Sequence, residues 1–434
     1  MKNKKYLTLG FAFATLSMSL LLSSSLFAQT KQEKEASRLE ALAKFTKVIS
    51  IVEQYDVDKV TIEELIDKAL DGMMKNLDAH SNYLTKKDYK RLQVQTSGEF
   101  GGLGITVGMK DGALTVISPI DGTPADKAGL KSGDIILKIN KKSTIGMTID
   151  EAVSLMRGKV NTAIDITIVR KGEAKPLLIH IVRGVITIKS VYTRLINTST
   201  LYIRVTSFDK KVARNVAAAI KKHKSTTTGI ILDLRNNPGG LLDQAVGLVD
   251  LFVNDGVIVS QKGRHKSDAK IYSATSSATI TNVPMVVLIN GGSASASEIV
   301  SGALQDHKRA VLVGENTFGK GSVQVVLPIT KEEAIKLTIA RYYLPSGRTI
   351  QAVGVNPDVT VTAGEIKTHE NSFSIKEADL KQHLKKELEK IDGKKSTAKE
   401  DKKVKKDIIT PEMLNKDLQL KSAVDILKAL VITK

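Results

Sequence analysis

An apolar run, Val283 to Ile289, leads into Asn290-Gly291-Gly292-Ser293-Ala294-Ser295-Ala296-Ser297-Glu298, and Ile299, Val300, Ala303 and Leu304 then fall on one helical face. The pattern predicts a strand, a turn and a helix, with Ser295 at the turn. A hydroxyl placed there faces the first N–H groups and the positive dipole end of the helix, which suits a nucleophile whose substrate develops negative charge. The same residues also spell a capping box, Ser295-x-x-Glu298, which accounts for a serine with no chemistry at all. Taken alone, the segment favours the cap.

A second segment lies 25 residues on. Val311-Leu312-Val313-Gly314 reads as a strand, followed by Glu315-Asn316-Thr317-Phe318-Gly319-Lys320-Gly321-Ser322-Val323-Gln324. Gly314-x-x-x-x-Gly319-Lys320 matches most of a phosphate-binding loop, but Gly321 stands where Ser or Thr should hold magnesium. A β-run from Val323 follows where a helix is needed. A nucleotide site is therefore a weak alternative enzyme reading. The third segment, Asp233-Leu234-Arg235-Asn236-Asn237-Pro238-Gly239-Gly240, is by itself a strand end followed by a turn.

Together and in this order, the three segments resemble the carboxyl-terminal processing peptidases, also called tail-specific proteases. The resemblance implies that Ser295 is the nucleophile, Lys320 the general base, and Gln324, four positions after the lysine, the group that orients it. It also implies an oxyanion hole made of the Gly240 and Ala296 N–H groups, with no metal and no cofactor. The residue types make chemical sense of these roles. A lysine base must lose its proton near neutral pH, so its pKa must fall from about 10.4 toward about 7 to 8, which burial can achieve. Gly319 and Gly321 permit the close packing this requires. Gln324 can hydrogen-bond the amine without the negative charge that would hold it protonated. Of the seven histidines, His307 would be the candidate for a histidine-based triad, and a helix-terminal surface histidine explains it equally well.

Ahead of these segments, Gly102-Leu103-Gly104-Ile105 opens a strand. Pro124-Ala125-Asp126-Lys127-Ala128-Gly129-Leu130 and Ser132-Gly133-Asp134-Ile135 follow. This stretch resembles a PDZ domain. Gly102, Leu103, Gly104 and Ile105 would bind a terminal carboxylate and pair with an added peptide strand, while the helix Thr148 to Met156 forms the other wall. Arg157, at the end of that helix, matches a family feature and is a peptide-binding candidate.

The elements that position these residues divide into five regions. Residues 1–28 read as a signal peptide: Lys2, Lys4 and Lys5, an apolar run from Leu7 to Leu22, then Phe27-Ala28. Leu26 is bulky for a cleavage site, so an uncleaved anchor stays open. Residues 29–96 have helical periodicity, and 97–185 alternate short β-runs with turn signals, forming the PDZ region. Residues 186–363 alternate strands and helices as an α/β layered core. Residues 364–434 are a Lys/Glu-rich linker with a final apolar helix, Ala423 to Leu430. The fold class expected is a mixed α/β (α+β) multidomain chain.

The chain has 65 Lys+Arg against 46 Asp+Glu, a net charge of +19, yet only 4% aromatics and no Trp. That composition lacks the stacking residues of single-strand nucleic-acid binders, so no nucleic-acid partner is expected. The absence of cysteine excludes disulfides, thiolate catalysis and sulfur-based zinc sites. The expected function is a serine endopeptidase of the cell envelope or periplasm acting on exported proteins with exposed C-terminal tails. An inactive PDZ scaffold is the alternative. The resemblance further implies a homodimer through the terminal helices and a lipoprotein adaptor.

Overall fold

The computed structural model describes residues 35–366 and 408–433. The signal segment expected at 1–28 and most of the expected Lys/Glu-rich linker lie outside the described residues. The described residues divide into two units, the first running through Tyr83 together with Ile335–Leu337 and the second comprising the rest.

In the first unit, residues 35–55 are helical and a second helix spans Ile62–Lys75. Thr61 begins the second helix with a complete capping box, its hydroxyl accepting from the Glu64 amide while the Glu64 carboxylate accepts from the Thr61 amide.

In the second unit a helix, Lys86–Ser97, leads into a β-module. Its sheet runs in the order Ile105–Lys110, Ala113–Pro119, Ile135–Ile139, Ala163–Val169 and Leu177–Val182, with Lys142–Ser143 hairpinned onto Ile135–Ile139. Alternate residues of these strands point inward. Val116, Ile136, Ile164, Ile166, Ile168 and Ile181 form one core with Ala152 and Met156 of the helix Ile149–Met156. The strand Glu99–Gly102 pairs antiparallel with Gly184–Thr187, so the module's two ends meet and extend it two residues past the expected boundary at 185.

The α/β region is built on a seven-stranded sheet ordered Val359–Thr360, Val311–Gly314, Met285–Ile289, Gly229–Asp233, Thr200–Val205, Val191–Ile196 and Ile408–Ile409. Every pairing is parallel except that of Val191–Ile196 with Thr200–Val205. Gly229–Asp233 and Met285–Ile289 are buried along their whole length, because both faces of the sheet are covered. Ile230, Leu232, Val287 and Ile289 face the helices Val212–His223, Leu242–Asp250 and Ala296–Asp306. Ile231, Val286 and Leu288 face Leu420, Ala423, Val424 and Leu427 of the helix Leu418–Ile432, which is longer than the expected Ala423 to Leu430.

A further sheet was not anticipated. In it Ala334–Tyr343 pairs with Ser322–Pro328 and Val257–Gly263, and the latter pairs with Lys270–Ser273.

Candidate active site

Parallel α/β sheets gather their sites at the carboxyl ends of the strands. Here the loops after Gly229–Asp233, Met285–Ile289 and Val311–Gly314 meet, carrying Asp233 to Gly240, Asn290 to Ser295 and Glu315 to Lys320. Ser295 is the residue before the helix Ala296–Asp306 and is half-buried. Its backbone has φ 55° and ψ −110°. A non-glycine residue held at positive φ costs about 1–3 kcal/mol and persists only where neighbours enforce it.

Those neighbours can be named. The Ala294 N–H donates to the Asn237 carbonyl at 2.9 Å, the Ser297 hydroxyl to the same carbonyl at 2.9 Å, and the Ser293 hydroxyl to the Leu234 carbonyl at 2.8 Å. Gly239 lies so close that a Cβ there would stand 2.7 Å from the Ala294 carbonyl oxygen and 2.9 Å from both the Ala296 nitrogen and the Ser295 Cβ. Of the capping box, the firm hydrogen bond is the acidic half, in which the Glu298 carboxylate accepts from the Ser295 N–H at 2.7 Å. The Glu298 amide donates to the Ser295 carbonyl at 2.9 Å.

Glu298 does more than close its own helix. The carboxylate is fully buried and accepts from four groups: the Ser295 amide, the Thr317 hydroxyl at 2.6 Å, the Gly319 amide at 2.6 Å and the Lys320 amide at 2.9 Å. One of its oxygens, Oε2, thus receives the backbone N–H of both Ser295 and Lys320. That single atom fixes the two chain positions beside each other. It also consumes the Gly319 and Lys320 amides that a phosphate-binding loop would turn toward its ligand, which disposes of the nucleotide alternative.

Lys320 is half-buried and enters the strand Ser322–Pro328. The flanking glycines let the 350–353 backbone press against it. A Cβ on Gly319 would meet Ala352 and Val353 at 3.2 Å, and one on Gly321 would meet the Gln351 nitrogen at 2.6 Å. Gln324 follows Ser322 on the same face of the strand and donates to the Ser322 hydroxyl at 2.8 Å and to the Thr338 hydroxyl at 3.4 Å.

Gly239 donates its N–H to the Asn237 side chain at 2.9 Å. Gly240 forms a parallel bridge with Phe208, in which the flanking Gly239 carbonyl and Leu241 amide make the hydrogen bonds. The Gly240 N–H therefore points away from Phe208. Ala296 is buried at the first turn of its helix. His307 is at the far end of that helix, about 18 Å along the axis from Ser295, with Nε2 at 2.7 Å from the Val257 carbonyl. A histidine triad with Ser295 is excluded by that distance.

In the β-module, Gly102, Leu103 and Gly104 are buried and Ile105 is half-buried, at the start of the strand that forms the sheet's free edge. The Arg157 guanidinium stacks on the Phe100 ring at 4.4 Å. Next to it the Gly158 N–H donates to the Gly101 carbonyl at 3.1 Å, holding the end of the Ile149–Met156 helix against the glycine loop. Val94, Phe100, Gly101, Val153, Arg157 and Gly158 line a cavity of about 300 Å³.

Sequence comparison adds the family. Residues 199–361 match the model of peptidase family S41, and residues 115–170 match the PDZ domain model. A carboxy-terminal-processing protease of Bartonella bacilliformis is 42% identical over 388 residues, covering 87% of this chain and 89% of that protein. The chain belongs to peptidase family S41. Carboxy-terminal processing protease CtpA of Bacillus subtilis is 36% identical over 73% of this chain and 69% of its own. The solved photosystem II D1 C-terminal processing protease is 27% identical with a TM-score of 0.42, covering 73% of this chain and 92% of that one. The molecule is a serine peptidase of the S41 carboxy-terminal processing group with a PDZ domain, and it acts on protein substrates.

Two parts of this S41 site escaped the sequence reading. Glu298 was legible as a helix-start acid through Ser-x-x-Glu, but not as the link to Thr317, Gly319 and Lys320. Asp417 and Gln419, which bind Arg235 from the distant C-terminal helix, gave no sequence signal.

Proposed function

We propose that Ser295 and Lys320 form the catalytic dyad of this peptidase, with Gln324 orienting the lysine and the Gly240 and Ala296 amides binding the developing oxyanion. The observation that carries this reading is the Glu298 Oε2 atom shared by the Ser295 and Lys320 amides. In the reaction, Lys320 takes the Ser295 hydroxyl proton as Oγ attacks the substrate carbonyl. The proton then passes to the leaving amine, and water hydrolyses the acyl-enzyme.

The substrates in this reading are exported proteins with exposed C-termini, met in the cell envelope or periplasm after the segment 1–28 has directed export. The PDZ domain captures the tail by adding it as a strand to the free edge at Ile105–Lys110, its carboxylate at the Gly102–Ile105 loop beside Arg157. Self-association through the terminal helices belongs to the same reading and is supported by the exposed apolar stripe Leu39, Leu42, Phe45, Val48 and Ile51. So does delivery of substrates by a lipoprotein adaptor.

The test is cleavage of an unfolded protein with a free C-terminal tail. Ser295→Ala and Lys320→Ala should each lower kcat by at least about 10⁴-fold, as loss of one member of a catalytic unit does. Cleavage persisting in both variants would defeat the assignment.

A further inference from the structure

The loop that carries Gly240 is gripped from two sides. One grip is the Ser295 turn, through Ser293, Ala294 and Ser297 as described. The other is the C-terminal helix, through Arg235. All five guanidinium N–H groups are engaged. Nε donates to Asp233 Oδ1 at 3.0 Å, and Nη2 to Asp233 Oδ2 at 2.7 Å and Asp417 Oδ2 at 2.8 Å. Nη1 donates to Asp417 Oδ1 at 2.8 Å and Gln419 Oε1 at 3.0 Å.

The cluster continues outward into fixed structure. Asp417 is the N-cap of its helix and accepts from the Leu420 amide at 3.0 Å, while Gln419 donates to the Val361 carbonyl at 2.8 Å. Asp233 also accepts from the Tyr202 hydroxyl at 2.7 Å.

Helix docking alone does not require this cluster, since Leu420, Ala423, Val424 and Leu427 already bury an apolar face against the sheet. The ions are instead placed at the end of Gly229–Asp233, where the active-site loop begins. That loop includes three residues at positive φ: Asn236 at 56°, Gly239 at 99° and Gly240 at 149°. Such a turn holds one shape only when fixed from outside.

We propose that Asp417 and Gln419 are positioning residues for the peptidase reaction, setting Arg235 and through it the Gly240 amide against Ser295. This rests on the assignment of Ser295 and Gly240 made above. Without Asp417 the buried guanidinium keeps only Asp233 as counter-ion and must reorient, and the Leu234–Asn237 turn that grips the Ser295 loop moves with it. A displacement of about 1 Å at a reacting centre costs on the order of 10²-fold in rate.

The test compares full-length Asp417→Asn, Gln419→Ala and Val424→Ala with the parent, using dye-labelled unfolded casein as substrate and thermal melting to define a temperature at which each is folded. Val424 is buried in the same helix contact and its apolar side chain is not among the hydrogen-bond and ion-pair partners of Arg235. Asp417→Asn should lower kcat by about 10- to 100-fold with KM within about twofold, and Gln419→Ala should do the same to a smaller degree. Val424→Ala should lower the melting temperature and leave kcat unchanged. A parallel fall of kcat in Val424→Ala, or a kcat within about twofold of the parent in folded Asp417→Asn, would overturn the proposal. If Asp417→Asn does not fold, Gln419→Ala decides in its place by the same criterion. Ser295→Ala is run alongside: activity surviving there defeats the serine assignment itself, whereas loss there with full activity in the two C-terminal variants defeats the positioning role alone.

Discussion

Replacing Glu298 by glutamine exchanges one carboxylate oxygen for an NH₂ group where all four neighbours are donors. Three of the four are backbone N–H groups that can only donate, so at least one of them then faces another donor, at about 1–3 kcal/mol each. Glu298→Gln should therefore melt earlier and lose at least about 10²-fold in kcat, because the Ser295 and Lys320 backbones lose their common tie. Steady-state kinetics beside a melting curve checks both. Gly239→Ala tests the other side of the Ser295 turn. Its methyl group would sit 2.7 Å from the Ala294 carbonyl oxygen, on a backbone at φ 99°. A cost of about 1–3 kcal/mol in stability is expected, with a fall in kcat that a surface Gly→Ala such as Gly112→Ala would not share.

At the scale of elements, the PDZ sheet holds an acid-sensitive joint. Asp134 is buried and pairs with Arg170, whose Nε and Nη2 donate to it at 2.8 Å each, and it also accepts from the Lys131 amide at 2.7 Å. Burial would raise the Asp134 carboxyl, but the Arg170 and Lys131 hydrogen bonds outweigh it and hold it below the ordinary carboxylate range. A carboxyl whose folded pKa is depressed stabilises the fold above its unfolded value, about 3.9, and that stabilisation is lost as pH falls through the folded value. Asp134→Asn should destabilise the module by about 1.5–3 kcal/mol near pH 7, because the Arg170 left behind can turn partly to solvent, and the gap from the parent should shrink below about pH 4. Melting of the module across pH reads this directly.

Elements were legible wherever burial left a simple pattern. Ile230–Leu232 and Met285–Ile289 read as strand cores because both faces are covered and every one of those positions is apolar. Ile135–Ile139 and Leu177–Val182 begin and end with their apolar runs, which Asp134 and Asn140, and Pro176 and Arg183, bound in the sequence. The sheet around Ala334–Tyr343 was not legible, since Lys336, Thr338 and Arg341 break the apolar run and its partners lie far apart in the chain. The site divides in the same way. Ser295 and Lys320 were singled out by the family resemblance that the three segments carry together, since their local turns favour a helix cap and a phosphate loop. The role of Glu298 depends on donors 19 to 22 residues away, and that of Asp417 on an arginine 182 residues earlier.

For the whole molecule, the pairing of Glu99–Gly102 with Gly184–Thr187 means that the chain enters and leaves the PDZ module at one place. Residues 97–188 should consequently fold when excised, giving a single cooperative melt. The excised module should bind a peptide with a free C-terminus and bind its C-terminally amidated form about 10- to 100-fold more weakly, the value of a hydrogen-bonded charge. Anisotropy titration of the two labelled peptides checks it. Equal affinity for both would show that tails are read by side chains rather than by their carboxylate.

The bond between Arg235 and Asp417 also has a consequence in time. At about 5–20 residues per second, the 182 residues between them take roughly ten to forty seconds to synthesise. For the last 97 of those residues, roughly five to twenty seconds at the same rate, Ser295, Lys320 and the glycine turn already exist, but Arg235 lacks its second carboxylate and the strand Ile408–Ile409 joins the sheet's edge only near the end. A nascent chain therefore carries Ser295 and Lys320 before the residues that grip the Gly240 loop from the C-terminal helix. Under the proposed assignment, the chain's own later segments pass by while the site is still unset.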